Sequence, residues 1–397
     1  MAETLRQAGF NSCRADPDVW MRPAVKPNGD KYYEYVLVYV DDILAISHDP
    51  KKIMEYLSEN YTLKKDSVCE PTQYLGADIG KHDARDGSKL KWYMSSDKYV
   101  RRALEDVEKE LADVGLTLKN NAKTPFRTDY RPELDWTPKL DDRRVTYFQG
   151  LIGILRWICE LGRLDILVAV SMLSRYLACP RRGHLDQAFH IFAYLKKHRR
   201  SKLVLDEEEP DLKNEFVSAD WTEYYPDAKE VVPPNAPQLR GKPVTTTCFV
   251  DADHAGCRET RRSHTGIIIM VNRAPIVWFS KRQNTVETST FGSEFIAMRQ
   301  VVELIEGLRY KLRMMGIDVV GPTNVLCDNE SVVKNATRPE STLKKKLVAV
   351  AYHRVREAQA AGIVRIAHER SEGNLADILT KLLVASKLQG LASLLLK

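Results

Sequence analysis

The spacing of apolar and polar positions changes period several times along the chain, and each change marks an element. Residues 35–46 read YVLVYVDDILAI, six apolar residues, then Asp41 and Asp42, then four more apolar residues. Two apolar runs around a tight polar break predict a β-hairpin. Before it, residues 2–10 predict the end of a helix closing at Gly9, and 11–34 read as loop and strand material punctuated by Pro17, Pro23 and Pro27. After it, Asp49-Pro50 opens a helix to about Tyr61, and 71–94 predict strands around Gly76 with a polar turn at Asp86-Gly87. Over 97–114, Tyr99, Ala103, Val107 and Leu111 fall on one helical face. A proline-containing bridge, 124–138, leads to helical segments at 144–161, 164–178 and 184–198. The third places Leu185, Ala188, Phe189, Phe192 and Leu195 at amphipathic spacing.

The pattern then lapses. An acidic run from Asp206 to Glu209 precedes Pro226, Pro233, Pro234, Pro237 and Pro243, which reads as a linker. Periodicity returns at Thr245. Strands are expected at 245–251, 265–272 and 275–280, then a helix over 293–315 and a strand over 324–328. Helices from Ser331 and over 342–361, a strand at 363–368 and a last helix from Asn374 complete the chain. This succession predicts an α/β unit with a mixed sheet. The expected divisions are 1–126, a helical part 127–205, the proline-rich linker 206–244, and 245–397.

Composition narrows the classes. The 397 residues have room for two or three domains, and 44% hydrophobic content supports packed cores. The net charge of +6 is compatible with nucleic acid. Seven cysteines, an odd number with no C-x-x-C pair, argue against a disulfide framework and a zinc knuckle and for a reducing, intracellular site in cytoplasm or nucleus. No apolar run nears the roughly 18 residues of a membrane span, so no membrane partner is expected.

Charged residues at element ends supply the candidate chemistry. Adjacent carboxylates such as Asp41 and Asp42, walled by apolar strands, are costly unless a cation is near, and magnesium is the natural one. An ordinary Asp-Asp turn is the competing reading. Downstream, Phe249, Asp251 and Asp253 share one strand face. Asp251 ends its strand, where a turn residue would also stand. Glu294 opens the apolar face continued by Met298, Val301 and Ile305, and Phe291 occupies the position where a capping box needs Ser or Thr. Favourable placement in the helix dipole is its alternative. Asp328 ends the apolar strand VLCD and could equally cap the next helix, and Asp377 opens the last helix, where a surface Asp would also suit. Together they place carboxylates at the ends of different elements, as α/β sheets assemble sites. Such a set suits Mg²⁺ or Mn²⁺ rather than zinc. Lys196, Lys197, Arg199 and Arg200 are a candidate phosphate-contacting patch, or a solvated helix end suited to the macrodipole.

Several ordered motifs carry a family resemblance. Gly9-Phe10, the run from Arg14 to Trp20 (RADPDVW), Tyr39-Val40-Asp41-Asp42 and Tyr74-Leu75-Gly76 resemble the Pol polyprotein of copia-type retrotransposons. Residues 249–256 (FVDADHAG), Arg261-Arg262-Ser263, Val277-Trp278, Ser293-Glu294-Phe295, Cys327-Asp328-Asn329 and Asn374-Leu375-Ala376-Asp377 resemble its ribonuclease H domain. The resemblance implies a partial reverse-transcriptase palm over 1–126, a helical thumb/connection over 127–205 and a ribonuclease H-like domain over 245–397. It implies that Asp251, Glu294, Asp328 and Asp377 are catalytic, holding two Mg²⁺ (or Mn²⁺) ions that cleave the RNA strand of an RNA–DNA hybrid. Asp41 and Asp42 would be the polymerase pair. Leu164 and Leu347 depart from the family, which usually carries proline and histidine there. His368, nine residues before Asp377, could act on a mobile loop near the metals. The family's remaining polymerase carboxylate and fingers lie upstream, whereas 38 residues precede Tyr39 here and Asp16, Asp18 and Asp30 sit in Pro- and Gly-rich text. The polymerase half is therefore expected to be inactive on this chain. The alternatives are a polymerase completed by another chain and a non-catalytic relic that binds nucleic acid.

Overall fold

The structure, a computed structural model, describes residues 1–64, 66–82, 90–343 and 346–397. The turn expected at Asp86-Gly87 lies outside these residues. The chain opens with α1 (Ala2–Gln7), β1 (Asn11–Cys13), β2 (Asp16–Val25), β3 (Lys31–Tyr39), β4 (Asp42–Ile46) and α2 (Pro50–Asn60). The four strands form an antiparallel sheet in sequence order. The expected hairpin is β3–β4, and Ile53 and Leu57 of α2 pack with Leu5, Phe10, Trp20 and Val36 beneath it. The 11–34 stretch is strand and loop as expected, but the placing of Asp16 and Asp18 in proline-rich text off a strand needs correction: they begin a ten-residue strand that pairs with β3. Its prolines are tolerated because Pro17 stands at the strand start and Pro23 lies beyond the residues that β1 reaches.

A second antiparallel sheet contains β5 (Gln73–Tyr74), β6 (Ala77–His82), β7 (Lys91–Ser95) and, after the helices, β8 (Leu203–Leu205). Between β7 and β8 run α3 (Asp97–Asp113), α4 (Asp142–Glu160), α5 (Leu167–Leu173) and α6 (Arg182–Lys197). The helix expected over 164–178 is interrupted, with 3₁₀ turns at Leu164–Ile166 and Ser174–Tyr176 flanking α5. A buried ion pair anchors the first turn. Arg163 Nε and Nη2 donate to the two oxygens of Asp165 at 2.9 and 2.7 Å, and the Tyr194 hydroxyl donates to Asp165 Oδ2 at 2.9 Å. Leu164, the departure from the family pattern, is fully buried beside this pair.

The C-terminal region comprises β9 (Thr246–Asp253), β10 (His264–Val271), β11 (Ala274–Arg282), α7 (Thr290–Met314), β12 (Thr323–Cys327), α8 (Glu330–Thr337), α9 (Ala349–Ala360), β13 (Val364–His368) and α10 (Ala385–Leu395). The strand order is β11-β10-β9-β12-β13, antiparallel from β11 to β9 and parallel from β9 to β13. This is the mixed sheet that the succession of elements predicts. The strand period of two sends Cys248, Val250 and Ala252 into a core with α7 and α9. Phe249, with Ile268, Met270 and Leu326, faces the core that α3–α6 and α10 share. One sheet thus joins two helical layers. The last helix starts later than expected: Asn374 caps a 3₁₀ turn, Leu375–Leu379, and α10 begins only at Ala385.

Residues 206–244 form no helix or strand, yet they lie against the C-terminal unit as a strap. Asn214 Nδ2 donates to His368 O at 2.8 Å, Trp221 is buried under the Arg356 guanidinium, and Glu230 accepts from Arg309 and Arg313. The Tyr35 hydroxyl donates to Met315 O at 2.6 Å, so the N-terminal sheet rests on the end of α7. No helix among the described residues is long and apolar enough to cross a membrane.

Asp165→Ala leaves the Arg163 cation buried and unpaired. It should cost about 3–5 kcal/mol in urea unfolding, whereas an exposed pair such as Lys334–Glu330 should change stability by under about 1 kcal/mol.

Candidate metal centre

Three carboxylates converge at one end of the mixed sheet. Asp251 comes from β9, Glu294 from the second turn of α7 and Asp328 from the end of β12, and their oxygens all lie within 4.8 Å of one another. The local alternatives for each are resolved by neighbours that do the bland work. Ser289 caps α7 by accepting from Gly292 N, so Glu294 is free of that role. Asn329 caps α8 through Val332 N, which releases Asp328. Asp377 is buried rather than on the surface, within the turn capped by Asn374. The β9–β12 register puts Cys327 beside Val250, and so Asp328 beside Asp251.

The electrostatics are those of a site that needs a cation. Burial raises Asp251 to about 6, against the lowering pull of Lys381 and a hydrogen bond from Thr380, with Asp377 and Asp328 raising it further. Burial, followed by repulsion from Asp251 and Asp328, holds Glu294 well above the carboxylate range. Glu294 Oε2 is buried and has no hydrogen-bond partner among the described residues. An orphaned carboxylate oxygen facing two other carboxylates fits a hard, oxygen-seeking ion such as Mg²⁺ or Mn²⁺. The cleft has a volume of about 490 Å³ and is also lined by Asp253, Thr290, Ser331 and Lys381.

Asp377 is not within the tight set of three. Lys381 Nζ lies 2.5 Å from Asp377 and 3.2 Å from Asp251, and Lys387 Nζ approaches Asp377 at 2.5 Å. Burial opposes the Lys381 charge, but Asp251 and Asp377 hold its pKa above the usual lysine value. The sequence reading missed Lys381 and Lys387. Lys381 follows Asp377 by four residues, a helical pairing distance that the sequence displays. His368 ends β13 beside Cys327 and is exposed, with Nε2 3.3 Å from Asp328 O.

No family model matches the chain. Curated proteins do. The Retrovirus-related Pol polyprotein from transposon RE1 of Arabidopsis thaliana is 25% identical over 362 residues, covering 90% of this chain and 21% of that protein. The corresponding protein from transposon TNT 1-94 of Nicotiana tabacum is 24% identical over 386 residues, 94% of this chain and 25% of that protein. Its relatives are copia-type retrotransposon Pol polyproteins. The chain therefore spans about a fifth to a quarter of the Pol proteins it resembles. A putative transposon Ty5-1 protein of Saccharomyces cerevisiae is matched over 81% of its own length at 25% identity. Among solved structures, an N-terminal RNase H domain from Mycobacterium tuberculosis aligns with 38% of this chain and 97% of that chain, at 12% identity and a TM-score of 0.27. LC11-RNase H1, solved in complex with an RNA/DNA hybrid, aligns with 34% and 93%, at 16% and 0.28.

The other expected residues of this Pol-like chain are placed differently. Tyr39 pairs with Asp42 across the hairpin, leaving Val40 and Asp41 as an exposed two-residue turn, with Val40 at φ +52. Asp41 and Asp42 join no metal-compatible set of three among the described residues. Contrary to the sequence reading, acidic neighbours do stand on the adjacent strand: after burial, the charges of Asp42, Asp18 and Asp16 raise the Tyr74 hydroxyl. The basic patch is half neutralised by α3. Lys196 pairs with Glu108 and Arg199 with Asp97, each at 2.6 Å, while Lys197 and Arg200 are exposed. These pairings favour helix-end anchoring over phosphate contact for Lys196 and Arg199.

A metal-dependent stability profile follows. Asp251 and Asp253 each titrate near 6 in the folded protein, above the ordinary 3.8, chiefly because of burial. A raised folded pKa gives a stabilising contribution that is complete below about 3.8 and lost as pH rises to about 6. Metal-free protein should therefore lose Tm across that window. Added Mg²⁺ should restore it at pH 7, and Asp328→Asn should raise the metal-free Tm while removing most of the Mg²⁺ gain. Differential scanning calorimetry with and without chelator reads both.

Proposed function

We propose that this chain is a metal-dependent nuclease of ribonuclease H type that hydrolyses the RNA strand of RNA–DNA hybrids. The observation that carries the reading is the convergence of Asp251, Glu294 and Asp328, with its orphaned Glu294 oxygen, in an open cleft. The Pol-polyprotein relatives support it. Divalent ions bound there would act as Lewis acids on a phosphodiester and would lower the pKa of a bound water. The protein's own contribution is positioning. Asp251, Glu294 and Asp328 supply the donor oxygens. Thr380 donates to Asp251 and fixes its carboxylate. Asp377 stands as the fourth carboxylate, because it shares Lys381 with Asp251, and displacing that ammonium exposes its charge to the same site. The hydroxyls of Thr290 and Ser331 line the cleft where a 2′-OH would distinguish RNA from DNA. No base preference is expected, since a hybrid is read chiefly by its backbone and groove shape.

A polymerase centre at the hairpin is the second reading, favoured by Asp16 and Asp18 standing on the strand beside β3. Primer extension on an RNA template tests it. The expected outcome is no extension, because Asp41 and Asp42 are exposed and, among the described residues, join no set of three carboxylates close enough to hold a metal.

The purified chain should cut a labelled RNA strand in a hybrid with Mg²⁺ and stop when the metal is chelated. Asp328→Asn should lower the rate by about two orders of magnitude or more with the fold intact. Cleavage by that variant at the wild-type rate would sink the assignment.

A further inference from the structure

A second cleft, of about 690 Å³, opens where α4 and α5 meet the outer strand of the mixed sheet. Its walls carry Arg156 of α4, Arg175 from the turn after α5, Arg262 from the β9–β10 loop, and Lys281 and Arg282 of β11, against a single acidic residue, Glu160. Among the described residues none of these five cations forms an ion pair. Elsewhere Arg163, Lys196, Arg199, Arg309, Arg313 and Lys381 have carboxylate partners. Five cations gathered from four chain segments around one cleft raise the local positive potential and favour an anion there.

One of the five is held in place by a neutral relay. Ser280 Oγ donates to Leu379 O at 2.7 Å, so it accepts from His264 Nε2 at 2.8 Å. That leaves His264 Nδ1 to accept from Arg175 Nη2 at 3.0 Å. Burial, and then the charges of Arg175 and Arg282, push His264 down to about 3, so it orients the guanidinium without adding charge. The relay ends on the 3₁₀ turn that contains Asp377. It therefore locks a cation of the helical unit to the element beside the carboxylates.

Strand register gives the placement. Arg282 lies opposite His264, which lies opposite Asp253, and Ser280 lies opposite Gly266, which lies opposite Asp251. Two strand spacings put the cleft about 10 Å across the sheet from the carboxylate strand. That is about three steps of a nucleic-acid strand at ~3.4 Å each.

We propose that this cleft binds the backbone phosphates of the same duplex whose RNA strand enters the carboxylate site, so that the joint between the helical unit and the sheet sets the register of cutting. This rests on the nuclease reading for the identity of the duplex, while the cleft itself stands on its charges. Ser171 in the same wall carries a hydroxyl suited to phosphate oxygens.

The test uses the full chain with Asp328→Asn, so that a labelled hybrid is bound but not cut, and fluorescence anisotropy over a salt series. Arg156→Gln/Arg262→Gln/Lys281→Gln should flatten the log–log salt slope by about 0.9 for each phosphate that the protein no longer neutralises, roughly 2–3 in all. An unchanged slope in a variant that melts like its parent would overturn the proposal. If the triple variant fails to fold, Arg156→Gln/Lys281→Gln, both at exposed positions, should still flatten the slope by nearly 2. Lys197→Gln/Arg200→Gln should leave the slope unchanged, and a flattening confined to that pair would move the phosphate contacts to the end of α6 and overturn the cleft. Displacement of the hybrid by inorganic phosphate at matched ionic strength would make the cleft a small-anion site and also overturn it. The two readings fail separately. Cleavage by wild type with an unaltered slope in the cleft variants removes the cleft alone. A flattened slope in those variants with no cleavage by wild type removes the nuclease alone.

Discussion

Strand β9 is buried on both faces, and the arrangement of the C-terminal half depends on that constraint. Cys248, Val250 and Ala252 point into the layer built by α7 and α9, while Phe249 points into the layer built by α3–α6 and α10. The alternation that sends Phe249 to the second layer sends Asp251 to the same side, where burial raises its pKa. A strand with one solvated face would have left this carboxylate in water and unperturbed. Two-sided burial both positions the site and charges it with unfavourable electrostatics.

That cost is met locally and incompletely. Lys381 bridges Asp251 and Asp377, and Lys387 adds a second cation at Asp377, so one side of the acidic group is compensated. Glu294 is relieved less: a backbone hydrogen bond from Ala252 and the Lys381 charge act against its burial, yet Oε2 stays buried without a hydrogen-bond partner among the described residues. The imbalance faces the open cleft rather than the core. A divalent ion would complete the coordination there, and the repulsion that weakens the metal-free protein is the same term that would draw the ion in.

The helical unit and the strap bear on the site as well as on the fold. The layer of α3–α6 covers one face of the sheet, and its surface at the sheet edge supplies Arg156 and Arg175 to a cleft completed by β11. The strap ties β13, α9 and α7 together through Asn214, Trp221 and Glu230. Basic residues are distributed unevenly in this frame. Two of the four at the end of α6 hold α3, whereas those at the joint are without carboxylate partners among the described residues.

The sequence by itself determined the elements and the candidate chemistry. Alternation marked β9, the hairpin at 35–46 was legible from its two apolar runs, and the four carboxylates were found because they interrupt apolar patterns at element ends. These are local properties, set by periods of 2 and 3.6 and by neighbours a few residues away. Proline content misled the reading of 16–25, since whether a missing N–H matters depends on whether a partner strand lies on that side. Tertiary structure decided the rest. The gathering of Asp251, Glu294 and Asp328 depends on β9–β12 register and on where α7 begins, and Asp377 is separated from them by a lysine four residues away. The pairing of Lys196 with Glu108, and the absence among the described residues of any such pairing at Arg175 and Arg282, depend on which surfaces meet. Long-range contacts settle those questions because charge and burial are properties of neighbourhoods in space, and these neighbours lie tens to hundreds of residues apart in the chain.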